Sequence, residues 1–193
     1  GTTTVNVNLT VAKVVVCPGA ELVVASGKTL TTFAPNDTCT RAEFVTFLWR
    51  AAGQPVVNYA MPFTDVPAGK YYTEAVRWAA SEGIVMGTTD TTFSPNDLVN
   101  RGQAVAFLYR YSKAPALMNM TANGPAPSPF SDVANTSYCY QAVLWAVKQG
   151  ITDGVTDTTF APNSNCPRAQ VVTFLWRAAG RPEAGQPSSF EGS

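Results

Sequence analysis

The feature that most constrains this chain is a short pattern written three times: Phe-Ala/Ser-Pro-Asn, a few polar residues, then an arginine that opens an apolar run. The copies read Phe33-Ala34-Pro35-Asn36 to Arg41, Phe93-Ser94-Pro95-Asn96 to Arg101, and Phe160-Ala161-Pro162-Asn163 to Arg168. A unit repeated at this spacing cannot bury its own apolar face and must stack on its neighbours, so architecture is decided by repetition before any single residue. A ligand site in such a chain is expected to recur with the repeat.

Each unit predicts two helices. Repeats two and three align without a gap from Phe63 and Phe130, each opening Phe-Thr/Ser-Asp-Val. Glu74 to Ala80 and Gln141 to Val147 place apolar residues at i, i+3 and i+4, the stripe of a half-buried helix. Gly83 and Gly150 stop these helices as C′ residues. Ile84 and Gly87, or Ile151 and Gly154, lead through a loop to the Phe-x-Pro-Asn turn and a second helix.

The first repeat is incomplete. Residues 33–53 match the second half of the third repeat, but the front half does not match. Thr2 to Val11 alternates polar and apolar residues with the period of a strand, and Val14 to Val16 and Leu22 to Val24 are strand-like as well. Residues 1–32 therefore read as a strand-rich segment with a degenerate repeat front. Complete repeats follow at 63–112 and 130–181, and a polar tail at 182–193. Gln54–Met61 and Lys113–Pro129 read as linkers.

Composition removes whole classes of function. The chain has 193 residues, 13 basic and 13 acidic side chains and no histidine. Zero net charge favours neither nucleic acid nor an anionic membrane, and no apolar run approaches a membrane span. Without histidine there is no Ser-His-Asp or Cys-His catalysis, and most zinc sites are excluded. Asp90 and Asp157 precede Thr-Thr and read as turn residues, so no metal and no cofactor are expected. Carboxylate-only glycoside cleavage needs two convergent acids, and Glu43, Asp65, Glu74, Asp132 and Asp153 all have local explanations; no catalytic residue is assigned. Gly1 is not an initiator methionine and no secretory leader follows it, which reads as a processed or excised segment.

The four cysteines track the repeats. Cys39 and Cys166 share one repeat position, with Cys17 and Cys139 upstream; the middle repeat carries Tyr72 and Val99 where the third has Cys139 and Cys166. Joint loss of both is what a disulfide requires, so Cys139–Cys166 and Cys17–Cys39 are the expected pairs, each stabilising by about 3–4 kcal/mol in the chain-entropy model. Disulfides imply an extracytoplasmic location. The other reading is four buried reduced thiols.

Phe-x-Asp-Val, an aromatic pair, Ala-Val, Gly-Ile-x-x-Gly, Phe-x-Pro-Asn and Thr-Arg-Ala-Glu (residues 40–43), in that order, resemble the S-layer homology repeat. The resemblance covers Phe63 to Arg181, with half a repeat before it. It implies a mainly α, pseudo-threefold helical bundle of helix-loop-helix repeats, here with a strand-rich N-terminal segment. It also implies a non-catalytic module at the bacterial cell surface, binding an acidic, often pyruvylated, secondary cell-wall polysaccharide in grooves between repeats. Tyr71 and Tyr138 stand where the family carries tryptophan.

Thr40 and Glu43 are spaced as a capping box, as are Asn100 and Gln103, while Pro167 gives the third helix a start without a side-chain bond. The arginines lack so simple an account, since a cation in the first turn meets the positive end of the macrodipole. One reading gives Arg41, Arg101 and Arg168 to a ligand carboxylate, together with helix N-terminal amides. The other pairs each with an internal carboxylate such as Asp65 or Asp132. Tyr71 and Tyr138 can stack on a sugar face. Trp78 and Trp145 lie on the apolar stripe and read as core, with a ligand-lining role as the lesser reading. Gly87 and Gly154 permit a tight backbone, with close ligand approach as the second reading. A different function, a self-assembling subunit of a surface layer or filament, has its warrant in the N-terminal strand, which needs a partner edge within the chain or on another copy.

Overall fold

Among the described residues, five helices follow the repeat: α1 (Arg41–Ala51), α2 (Thr73–Ser81), α3 (Arg101–Tyr111), α4 (Tyr140–Lys148) and α5 (Arg168–Ala178). The computed structural model describes residues 34–114, 120–121, 124–125 and 127–182, all within one compact unit, Ala34–Ser193. The segment 1–32 expected to be strand-rich, Cys17, Phe33 and the tail from Glu183 lie outside the described residues.

The helix boundaries have local causes. α1 starts on a complete capping box, Thr40 with Glu43, and α3 on another, Asn100 with Gln103; Pro167 starts α5 with no side-chain cap. Gly83 and Gly150 take φ of +69° and +65° just past α2 and α4. There the amides of Ile84 and Ile151 reach back to the carbonyls of Ala79 and Ala146, both at 2.8 Å, as in a Schellman stop. Within the linker after α3, the described residues include two short strands. Met120–Thr121 (β1) and Gly124–Pro125 (β2) form a two-stranded antiparallel hairpin, in register Met120 with Pro125 and Thr121 with Gly124.

Packing runs from each second helix to the first helix of the next repeat: α1 lies on α2, and α3 lies on α4 and α5. Phe44, Val45, Leu48, Val76, Val105, Leu108 and Val143 are fully buried between them, each worth about 1.5–3 kcal/mol relative to exposure. Phe63 meets Phe93 and Phe130 meets Phe160 with the same 5.7 Å ring separation. This is the contact by which each Phe-x-Asp-Val segment holds its own turn.

A closed ring of backbone hydrogen bonds joins the repeats. Val99 donates to Cys39 (2.9 Å), Cys166 to Val99 (2.9 Å) and Cys39 to Cys166 (3.3 Å). All three residues are wholly buried. Here the expected Cys139–Cys166 disulfide is corrected, while the Cys17 half of the expected Cys17–Cys39 pair lies outside the described residues. Cys39, Cys139 and Cys166 are free thiols. Cys139 Sγ lies 3.2 Å from Ser137 Oγ, and Cys166 Sγ donates to Gln170 Oε1 at 3.3 Å. The Cys/Val exchange along the repeat reflects a tight apolar seat that either side chain fills. Likewise Tyr72 and Cys139, exchanged between repeats, are both core residues. Burial pushes the Cys39 and Cys166 thiols up to about 12.

Candidate functional site

Each Phe-x-Pro-Asn turn bends through a non-glycine residue in the left-handed region: Ala34 (φ +43°), Ser94 (+58°) and Ala161 (+57°). Such a residue persists only where its surroundings hold it. Asp65 does so in the second repeat, its two carboxylate oxygens accepting from the amides of Phe93 and Ser94, both at 2.7 Å. Asp132 does the same for Phe160 (2.9 Å) and Ala161 (2.6 Å). The two aspartates therefore fix the turns, and their oxygens are not hydrogen-bonded to the arginine guanidinium groups.

The fixed turn receives a helix from the preceding repeat. The amides of Arg41 and Ala42 donate to the carbonyls of Asp97 (2.8 Å) and Pro95 (3.0 Å); those of Arg101 and Gly102 donate to Ser164 and Pro162 (both 2.9 Å). Arg168 and Ala169 close the cycle onto Asp37 (2.9 Å) and Pro35 (3.0 Å). The expected anion seat on helix N-terminal amides is thus corrected: the first two amides of α1, α3 and α5 are bonded to the neighbouring turn.

The same carbonyl-rich turn accounts for an arginine in the first helical turn. Arg41 Nε donates to the Phe93 carbonyl at 2.9 Å, and its guanidinium lies over the rings of Phe93 (4.7 Å) and Phe107 (5.5 Å). Arg101 repeats this on Phe160 (2.8 Å), over Phe160 (4.6 Å) and Phe174 (5.6 Å). Carbonyl dipoles and ring faces offset part of the cost of burying the charge. Both arginines are only 3 % exposed, and in both Nη2 is buried without a hydrogen-bond partner. Burial lowers their pKa from the ordinary value, with Asp97 and Asp65 acting against this at Arg41, and Cys166 and Asp132 at Arg101. Arg168 differs: its guanidinium lies 5.1 Å from the Phe47 ring, and Nη1 is 2.6 Å from Glu43 Oε1.

Arg41 lines a cavity of about 360 Å³ together with Met86, Gly87, Gln103, Ala106, Phe107, Arg110 and Tyr138. This lining carries two guanidinium groups and no carboxylate. Tyr138, 58 % exposed, donates to Asn100 Oδ1 at 3.1 Å. Tyr71, 59 % exposed, stands edge-on to Tyr72 beside Thr40 and Glu43. Trp78 and Trp145 are 4 % and 7 % exposed, packed on Tyr111 and Tyr109. Both pack as core residues, the first of the two readings the sequence offers. A Cβ on Gly87 would lie 2.5 Å from the Thr89 carbonyl oxygen, and one on Gly154 2.5 Å from Phe130. These two glycines are required by the loop itself, and Gly87 also borders the cavity.

Arg110 and Gln103 were not expected here. Their signal was present in the repeat: a second arginine follows each first one at the end of the helix (Arg50, Arg110, Arg177), and the third helical residue is Glu43, Gln103 or Gln170. Among the described residues no three histidine, cysteine or acidic side chains converge as a metal site, and no helix is long and apolar enough to cross a membrane.

Comparison with known proteins agrees with this geometry. The S-layer homology domain model matches residues 16–45, 62–105 and 129–172. The chain is 31 % identical over 161 residues to an endoglucanase of Bacillus sp. (strain KSM-635), covering 81 % of this chain and 17 % of that protein. It is 30 % identical over 154 residues to an amylopullulanase of Thermoanaerobacterium thermosulfurigenes, covering 79 % of this chain and 8 % of that one. A surface-layer 125 kDa protein of Lysinibacillus sphaericus is 28 % identical over 120 residues, 62 % of this chain and 10 % of the relative. The chain thus spans less than a fifth of each of these proteins. With three matched repeats built on one plan, it belongs to the S-layer homology domain family, an anchoring module of the extracellular cell surface.

Proposed function

We propose that this chain is a non-catalytic anchor that holds an acidic, pyruvylated secondary cell-wall polysaccharide in grooves between repeats. The observation that carries the reading is the Arg41 cavity: two guanidinium groups, no carboxylate, and a buried Nη2 without a partner. An anionic sugar supplies the missing charge, and Tyr138 at the rim offers a ring face and a hydroxyl. The closed hydrogen-bond ring supports a pseudo-threefold arrangement of repeats 33–53, 63–112 and 130–181. The small share of the endoglucanase and amylopullulanase that matches is consistent with a module separate from catalysis. Repeated grooves on one polymer raise effective concentration.

The test is co-sedimentation with cell-wall sacculi before and after acid extraction of the secondary polymer, with Tyr138→Ala and Arg110→Ala variants. Both side chains are at the cavity and outside the fully buried core, and circular dichroism checks that the fold survives loss of the Arg110–Ile84 and Tyr138–Asn100 hydrogen bonds. Binding lost on extraction, and weakened about tenfold (about 1.4 kcal/mol) in each variant, supports the anchor. Binding unchanged by extraction refutes it. The relative named as a surface-layer protein favours a second reading, self-assembly into a surface layer. That reading requires the chain to pellet alone as polymers, and deletion of residues 1–11 to abolish this.

A further inference from the structure

One arginine of the three is already answered from within the chain. Glu43 uses one oxygen, Oε2, to close the capping box, accepting from Thr40 N (2.8 Å) and Thr40 Oγ1 (3.1 Å); the other, Oε1, meets Arg168 Nη1 at 2.6 Å. Gln103 holds the same third position in α3. Its oxygen must accept the Asn100 amide (3.3 Å), which leaves a donor nitrogen where Glu43 has its second oxygen. Gln103 and Arg41 line one cavity, so the carboxamide gives Arg41 nothing to bond with, and Arg41 Nη2 has no partner. In α5 the position is Gln170, whose oxygen takes the Cys166 thiol, and Arg101 Nη2 is likewise unpartnered.

We propose that the third residue of each second helix decides which arginine accepts an external anion: Arg41 and Arg101 each take a carboxylate of the glycan, whereas Glu43 occupies Arg168. The chain then has two anion sites rather than the three its repeats advertise. Both glutamate and glutamine close the capping box, in α1 and α3. The choice between them can therefore set site occupancy while the cap is kept. This inference rests on the anion-binding reading above.

The experiment follows the side-chain Nε–H resonances of Arg41, Arg101 and Arg168 by NMR while the full chain is titrated with a pyruvylated methyl hexoside, the uncharged methyl hexoside serving as control. In the unsubstituted chain, Arg41 and Arg101 are expected to shift saturably and Arg168 to stay fixed. Glu43→Gln should bring Arg168 into the response. Gln103→Glu should weaken the Arg41 response about tenfold, because an internal carboxylate then competes for the guanidinium. Neither substitution removes the cap, and an unchanged helical circular dichroism spectrum at the titration temperature checks that. If all three arginines respond in the unsubstituted chain, or Arg168 stays silent in Glu43→Gln while Arg41 responds, the occupancy rule is overturned and anion binding stands. If no arginine responds in any form, both fall.

Discussion

Replacing Asp65 by asparagine tests how the turn, and with it the arginine site, is held. Asp65 accepts two amide bonds of 2.7 Å, from Phe93 and from Ser94 in its left-handed conformation. The Phe93 carbonyl in turn takes Arg41 Nε. Asparagine keeps the shape but presents one oxygen and one NH2, so one amide loses its acceptor and faces a donor. Hydrogen bonds to a charged group contribute about 1.5–3 kcal/mol each, and an unsatisfied buried donor costs about 1–3 kcal/mol. With one neutral bond retained, Asp65→Asn should cost about 2–4 kcal/mol. For a unit of this size that is a melting point lower by about 5–15 °C. Urea unfolding followed by circular dichroism measures it, with the exposed Asp90→Asn as control. Asp132→Asn makes the same chemical change at an exposed carboxylate, where water replaces the lost acceptor, and should cost less. A loss at position 65 within about 0.5 kcal/mol of the Asp90 control would refute the claim that this carboxylate holds the turn.

The thiols give a pH prediction. Cys39 and Cys166 are pushed from 9.0 to about 12 by burial, so their contribution is fully present below pH 9 and is lost between pH 9 and 12, where the unfolded chain releases protons the folded chain keeps. The slope is up to about 1.4 kcal/mol per pH unit for each thiol. Cys39→Val/Cys166→Val, copying Val99, should flatten it in urea titrations from pH 8.5 to 11, and an unchanged slope would show that other groups carry the alkaline loss. Gly154→Ala must force a Cβ onto Phe130 and two carbonyls at φ +93°, for which a loss of about 2–4 kcal/mol is expected; a melting curve matching the unsubstituted chain would contradict the tight-loop account.

Much of the architecture was legible because it repeats. The helix starts at Thr40 and Asn100, the weaker start at Pro167 and the stops at Gly83 and Gly150 follow from local chemistry that neighbouring repeats do not alter. The site was legible in part. Arg41 and Arg101 could be singled out as misplaced cations, but the carbonyls that seat them belong to the next repeat, and no local rule points to a partner 52 or 59 residues away. The cysteines misled for a related reason. Paired loss of Cys139 and Cys166 looked like a bond, yet each fills a separate buried seat, and only the ring joining Cys39, Val99 and Cys166 reveals what position 166 packs against.

Whether Arg41 is kept for the fold or for a ligand is decided by what replaces it. Its Nε bond and its two ring contacts stabilise the packing of α1 on the second turn, while Nη2 adds only desolvation cost. Methionine fills the same slot, keeps contact with Phe93 and Phe107, and removes the buried charge. It leaves the Phe93 carbonyl without its donor, a cost of about 1–3 kcal/mol. Replacing a buried ion by an apolar side chain can return a similar amount, about 1–4 kcal/mol. Arg41→Met should therefore unfold within about 1 kcal/mol of the unsubstituted chain while binding walls more weakly. If instead it is destabilised by more than about 3 kcal/mol and still binds walls as before, the guanidinium is a fastener between repeats and the cavity beside it is not the anion site.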